Sequence, residues 1–234
     1  MTLLRFISSS IRGIIHVGAH EAQEVTEYVS QGITHVIWIE ANPAMHSFIR
    51  AKIQPWQETM HLGTFAASDK TGGVAYLNLA NNQQSSSLLA FGTHSIQHPH
   101  ITYVGKVEVD LKRIDDWILE SKLDSSVYNA ANIDVQGYEL SVLKGMTSHL
   151  AKIVALECEI NLDEVYVDCT KLQELDHFLS GYRFRRVYTS LAKGSSYGNA
   201  LYVQPKLLPL VYKNIILEIL LNPRKILNVL ARFF

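Results

Sequence analysis

The sequence predicts an α/β protein built on a doubly wound sheet. Two observations carry that expectation. Ile14, Ile15 and Val17 form a short apolar run with β-branched residues, read as a buried strand, and the small-residue turn Gly18-Ala19-His20 follows at once. Glu21–Gly32 has the composition of a helix, which makes this stretch the first half of a strand–helix–strand unit. From there to Val203, short strand patterns alternate with helical ones, and no internal repeat interrupts them.

Each later element has its own warrant. His35–Ile39 (HVIWI) is a second strand that ends in Glu40. Asn42 is a good helix cap and Pro43 a good first residue for a helix running to about Ile53. Met60–Ala67 reads as a third strand, closed by the polar turn Ser68–Gly73. Val74–Leu79 and Tyr103–Asp110 both alternate and are expected to pair as an added ribbon. Between them, Ala80–His100 is polar and without regular pattern, the profile of a lid or binding loop. Lys112–Glu120 is helical, with Ile114, Trp117 and Ile118 on one face. Val127–Asp134 leads into a core strand, Tyr138–Met146 into a helix, and Lys152–Glu159 into a further strand. Thr170–Ser180 is an amphipathic helix stopped by Gly181, and Tyr182–Tyr188 and Asn199–Val203 supply the last strands.

At 234 residues, 47% hydrophobic and 18% charged, the chain suits one packed domain with a real core. A net charge of −1 gives no reason to expect nucleic acid as a partner. The charge is uneven: residues 1–204, the domain, hold 16 Lys+Arg against 21 Asp+Glu, whereas residues 205–234 hold 5 against 1. In that tail Pro209–Leu221 is mostly apolar, and Asn222-Pro223 starts a second helix with Arg224, Asn228 and Arg232 on one face. A basic amphipathic tail suits an anionic membrane surface, the body of the protein or a second subunit. Cys158 and Cys169 form no C-x-x-C pair, so reduced thiols and a cytoplasmic setting are expected, with peripheral contact at the inner face of the membrane open to the tail. Met1–Arg12 lacks the apolar core of a signal peptide, and no run of 18 apolar residues occurs.

The Gly18 turn lets a ligand approach the backbone, and Glu40, about twenty residues further on, stands where such folds bind a ribose. A nucleoside-type cofactor follows. With one glycine and with Glu21 in the expected first helical turn, the segment is poorly suited to a dinucleotide's pyrophosphate, which disfavours an NAD-type oxidoreductase. S-adenosylmethionine carries no phosphate and is cationic, and suits an acidic turn better.

Ile133-Asp134-Val135-Gln136-Gly137-Tyr138-Glu139-Leu140, followed by Val142-Leu143-Lys144-Gly145, resembles the signature of the FkbM-type S-adenosylmethionine-dependent methyltransferases. Val17-Gly18-Ala19, Glu40 before Asn-Pro, and Ala67-Ser68-Asp69-Lys70 before a glycine match in the same order, so the likeness runs from about Ile14 to Val203. His16 stands where that family usually has an aspartate, Ala22 where a glycine often sits, and Gln136 where it has a glutamate. The resemblance implies a class I methyltransferase (Rossmann-like) fold, a seven-stranded sheet with its last strand antiparallel, carrying a helical C-terminal tail. It also implies S-adenosylmethionine as cofactor and methylation of a hydroxyl on a sugar, glycan or natural product.

On that reading Gly18, Ala19 and His20 offer backbone to the methionine half of the cofactor, and Glu40, followed by Asn42, holds the ribose. Ser68 and Asp69 meet the adenine amino group, and Asp134 holds the cofactor's ammonium or orients the acceptor hydroxyl. Asp134, His94 and Glu157 are the catalytic candidates. His94 would act as general base from a lid, and Glu157 shares one strand face with Glu159, with Cys158 opposite. His94 and His98 have metal-ligand spacing, but Pro99 argues against a regular helix and no third ligand is near, so no metal is expected. Glu139, in a first helical turn, is half explained by the helix dipole, and His16 is expected to pack against the cofactor site. The alternative function is a cofactor-binding interaction module on the same fold that has lost methyl transfer.

Overall fold

The structure, a computed structural model, describes residues 2–191 and 194–221. A 3-10 helix (Leu3–Ser10) leads into β1 (Gly13–Val17), α1 (Val25–Ser30), β2 (His35–Ile39), α2 (His46–Ile53), β3 (Met60–Gly63), β4 (Ala66–Ala67) and β5 (Val74–Ala80). There follow α3 (His94–Gln97), β6 (Tyr103–Lys112), α4 (Ile114–Glu120), β7 (Ala130–Ile133), α5 (Glu139–Lys144) and α6 (Thr147–Leu150). The chain continues through β8 (Ala155–Asn161), α7 (Leu172–Gly181), β9 (Arg185–Leu191), β10 (Tyr197–Val203) and α8 (Leu208–Leu221).

Seven strands form one sheet in the order β3-β2-β1-β7-β8-β10-β9. β1 pairs in parallel with β2 on one side and β7 on the other, so the chain winds outward from it in both directions. β10, the last strand, enters antiparallel between β8 and β9, as the family resemblance implies. Strand alternation gives the sheet two apolar faces. Ile14, Val36 and Trp38 point to one, where they meet Leu4 and Ile7 of the 3-10 helix, Tyr28 of α1 and Ile49 of α2. Ile15, Ile37 and Leu156 point to the other, against Ile118 of α4, Leu143 of α5 and Leu175 of α7. Each such side chain contributes about 1.5–3 kcal/mol by leaving water. The expected ribbon of β5 with β6 is present, and β4 joins it in parallel to make a three-stranded side sheet.

Two expectations need correction. The helix after Gly18 does not begin at Glu21. His20 and Ala22 take left-handed backbone angles (φ 47 and 49), which no helix continues through, so α1 starts only at Val25. Glu21 is therefore not in a first helical turn, and the charge argument against a pyrophosphate loses its geometric basis. Met60–Ala67 is not one strand: the chain bends at residues 64–65, folding the Phe65 ring back against Gly63, and β3 and β4 belong to different sheets. At the start of the described chain, Leu3, Leu4, Phe6 and Ile7 are buried in the core.

The tail's first helix is present as α8. Its Val211 and Ile215 are buried against the body, Asn214 Nδ2 donates to Phe6 O at 2.7 Å, and Arg5 pairs with Glu218 at 3.3 Å. The second tail helix, with Arg224, Asn228 and Arg232, lies outside the described residues.

Candidate active site

The ends of β1, β2, β7 and β8 open onto two adjoining hollows, a small one of about 80 Å³ and a cleft of about 700 Å³. Gly18, His20, Gln84, Asp134 and Gln136 line both and so mark the junction. The turn there is tightly held. The N–H groups of Gly18 and Ala19 both donate to Ile39 O, at 2.9 and 3.1 Å, and Asp134 N–H donates to Val17 O at 3.0 Å. Gly18 has φ 82, and a Cβ on it would lie 1.7 Å from Asp134 O. Only glycine fits.

Glu40 lies at the end of β2 in the wall of the small hollow. Its Oε2 accepts from His20 N–H and its Oε1 from Asn42 N–H, both at 2.7 Å. Asn42 is a cap, as expected, with Oδ1 accepting from Ala44 N–H at 3.1 Å. Ser68 and Asp69 lie outside both hollows, whereas their neighbours Ala66 and Ala67 line the small one. Ser68 is buried with its N–H on Lys112 O, and Asp69 N–H donates to Ser141 Oγ at 3.2 Å.

Asp134 and Glu159 share one amide. Gln136 Nε2 donates to Asp134 Oδ1 at 2.6 Å and reaches the two Glu159 oxygens at 3.1 and 3.0 Å. The Tyr166 hydroxyl donates to Gln136 Oε1, which fixes the orientation of the amide. Burial pushes both carboxyls up; Asp134 raises Glu159 further, whereas hydrogen bonding to Gln136 and Glu159 holds Asp134 down in part. Glu157, on the same strand face, is engaged elsewhere: its Oε2 accepts from Leu3 N–H at 2.6 Å and so pins the 3-10 helix. Glu139 caps the loop before α5, with Oε1 accepting from Gly137 N–H at 2.9 Å.

His94 lines the cleft within a column of rings. It stacks on Phe91 at 4.5 Å, and Phe91 stacks on Tyr103 at 3.8 Å. Burial lowers His94 to about 4, so it is neutral, and its Nδ1 is sealed from solvent without a hydrogen-bond partner. His98 lies 5.1 Å from it, ring to ring, and bonds Tyr197 OH at 3.1 Å. His16 packs on Trp38 at 4.8 Å beside the cleft. Asn132 Nδ2 donates to Tyr28 OH, which leaves the hydroxyl proton for His16 Nδ1, each at 3.0 Å. The neutral ring therefore carries its own proton on Nε2. Gln136, Tyr166 and Asn132 are the residues here that the sequence did not single out for a role, although Gln136 stood out as a departure from the family signature. Glu159 stood out only as sharing a strand face with Glu157.

Burial raises Glu40, Glu139 and Glu157 to about 7 from 4.5. Between those values the folded protein holds protons that the unfolded chain has released, so stability falls as pH rises. His16, lowered by burial to about 4, acts oppositely: its contribution grows up to the ordinary value of 6.5 and is constant above it. Above pH 6.5 the carboxyls alone decide. Thermal melts of the unliganded protein are expected to show a loss of about 1 kcal/mol per carboxyl between pH 6.5 and 8. A melting temperature that rises over that range would contradict this.

Residues 16–186 match the Methyltransferase FkbM domain. The chain belongs to this S-adenosylmethionine-dependent family. No curated protein matches it. Among solved structures it is similar to magnesium protoporphyrin IX methyltransferase from Synechocystis PCC 6803 with bound SAM, at 9% identity and TM-score 0.47, over 86% of this chain and 74% of that one. It is also similar to M. capricolum TrmK in complex with S-adenosyl-homocysteine, at 8% identity and TM-score 0.43, over 88% of this chain and 69% of that one.

Proposed function

We propose that this family member transfers a methyl group from S-adenosylmethionine to a hydroxyl of a sugar-containing or similarly polyhydroxylated acceptor. The observation that carries the reading is the junction at Gly18 and Asp134, where a bare backbone turn joins a small hollow to a large polar cleft. The residues fit the cofactor. Ala67, Leu77 and Leu88 give the small hollow apolar walls for an adenosine, and Glu40 keeps lone pairs for ribose hydroxyls beyond its two backbone bonds. Gly18 lets the turn close against the Asp134 carbonyl at the junction, and the Asp134 side chain lines the cleft beside it. When bound, the cofactor supplies a methyl carbon already activated by a sulfonium.

The protein's own part is alignment, exclusion of water and removal of a proton. Positioning of this kind is worth up to roughly 7–11 kcal/mol. Asn82, Gln84, Ser85, His98 and Tyr197 give the cleft hydrogen-bonding walls suited to a polyol. The Asp134–Glu159 pair takes the acceptor's proton: two carboxyls that burial pushes up meet on one amide in the wall of the cleft. His94 is the less suited base, because burial lowers it to about 4 and seals its Nδ1 from solvent.

Calorimetry with S-adenosylmethionine and with NAD tests the cofactor, and binding of NAD alone would reject the reading. Release of S-adenosylhomocysteine across a set of sugar and natural-product alcohols tests the reaction. Cofactor binding with no release for any acceptor favours the non-catalytic module. Glu159→Gln is expected to lower kcat by about 10²-fold or more, to change cofactor affinity little, and to remove the acid limb of the pH–rate profile. An unchanged kcat would remove the pair from the proton's path.

A further inference from the structure

The helix α8 has two unlike faces. Val211 and Ile215 are buried, and Asn214 and Glu218, next to them around the helix, bond Phe6 O and Arg5 of the 3-10 helix. The opposite face is open. Tyr212, Ile216 and Leu220, one turn apart, are 44%, 55% and 70% exposed, and Leu217 beside them is 44% exposed. The exposed Lys213 lies among them. No carboxylate shares that face: Glu218 is the sole acid of residues 205–234, and it is turned to Arg5.

We propose that the outer face of α8 seats the protein on an anionic lipid surface. A line of apolar side chains with a lysine set into it matches the boundary between acyl chains and acidic headgroups, where the ammonium reaches the phosphates while the apolar groups sink below them. Charge favours the same partner. The 13 residues after α8 add Arg224, Lys225 and Arg232 and no acid, and such cations are drawn to an anionic surface. The contact is peripheral: among the described residues no helix is long and apolar enough to cross a bilayer, and the 14 residues of α8 reach only about 21 Å.

The test is flotation of the full chain with vesicles of equimolar phosphatidylglycerol and phosphatidylcholine, and with phosphatidylcholine alone. The expected result is binding to the anionic vesicles, weakened by salt, and reduced more than about tenfold by Ile216→Glu with Leu220→Glu. Both side chains point away from the body, so the double variant is expected to keep its melting temperature and its cofactor affinity. Equal flotation of the variant, or no flotation of the unmodified chain, would overturn the proposal. So would a dimer in light scattering that the double variant turns into a monomer, since the face would then belong to a second copy.

Discussion

Gly18→Ala is expected to abolish cofactor binding and to destabilise the fold by about 3 kcal/mol or more. Two penalties coincide. The backbone at Gly18 has φ 82, and the new methyl would stand 1.7 Å from Asp134 O. That oxygen cannot retreat cheaply, because Asp134 N–H is fixed to Val17 O at the end of the β1–β7 pairing. Relief requires the ends of β1 and β7 to part, and their separation is the geometry that joins the two hollows. Gly72→Ala separates the penalties: Gly72 has φ 91 but nothing within 4 Å of a new Cβ. It is expected to cost only about 1 kcal/mol and to leave the cofactor untouched. Thermal melts and calorimetry read both variants. A Gly18→Ala protein as stable as the Gly72→Ala protein would mean that the turn is not closed against β7.

Glu40→Gln is expected to weaken S-adenosylmethionine binding by about 10- to 100-fold, the loss of 1.5–3 kcal/mol from hydrogen bonds to a charged acceptor. The substitution keeps the shape but not the bonding. Both carboxylate oxygens receive backbone N–H groups, from His20 and Asn42, so an amide must turn its own NH2 toward one of those donors. The pH dependence gives a second signature. Burial holds Glu40 up at about 7, so the carboxylate proposed to accept from ribose hydroxyls is fully formed only above that value. Affinity is therefore expected to rise from pH 6 to 8, and in Glu40→Gln this rise is expected to be largely lost. An adenine fragment without the ribose would bind both proteins alike. Equal affinities for the complete cofactor would reject the ribose role.

The parts of this molecule that the sequence made legible are those written in local order. Ile14, Ile15 and Val17 before Gly18, and Val36–Ile39 before Glu40, announce buried strands and the residues at their ends, because alternation and burial act within a few neighbours. What stayed hidden depends on distance along the chain. The Gln136 amide meets Glu159 from another strand and Tyr166 from a loop, and no local pattern marks that meeting. Glu157 looked free for catalysis because its partner, Leu3 N–H, lies 154 positions away. Backbone choices were hidden as well. The left-handed angles at His20 and Ala22, which alanine above all disfavours, delay α1, and Ser68 and Asp69, beyond the bend at Phe65, line neither hollow.

Thr2 stands in the wall of the 700 Å³ cleft, and Leu3 is tethered to Glu157 inside it. One wall of the cleft is therefore set by a tether between the 3-10 helix and β8, and its shape depends on that bond.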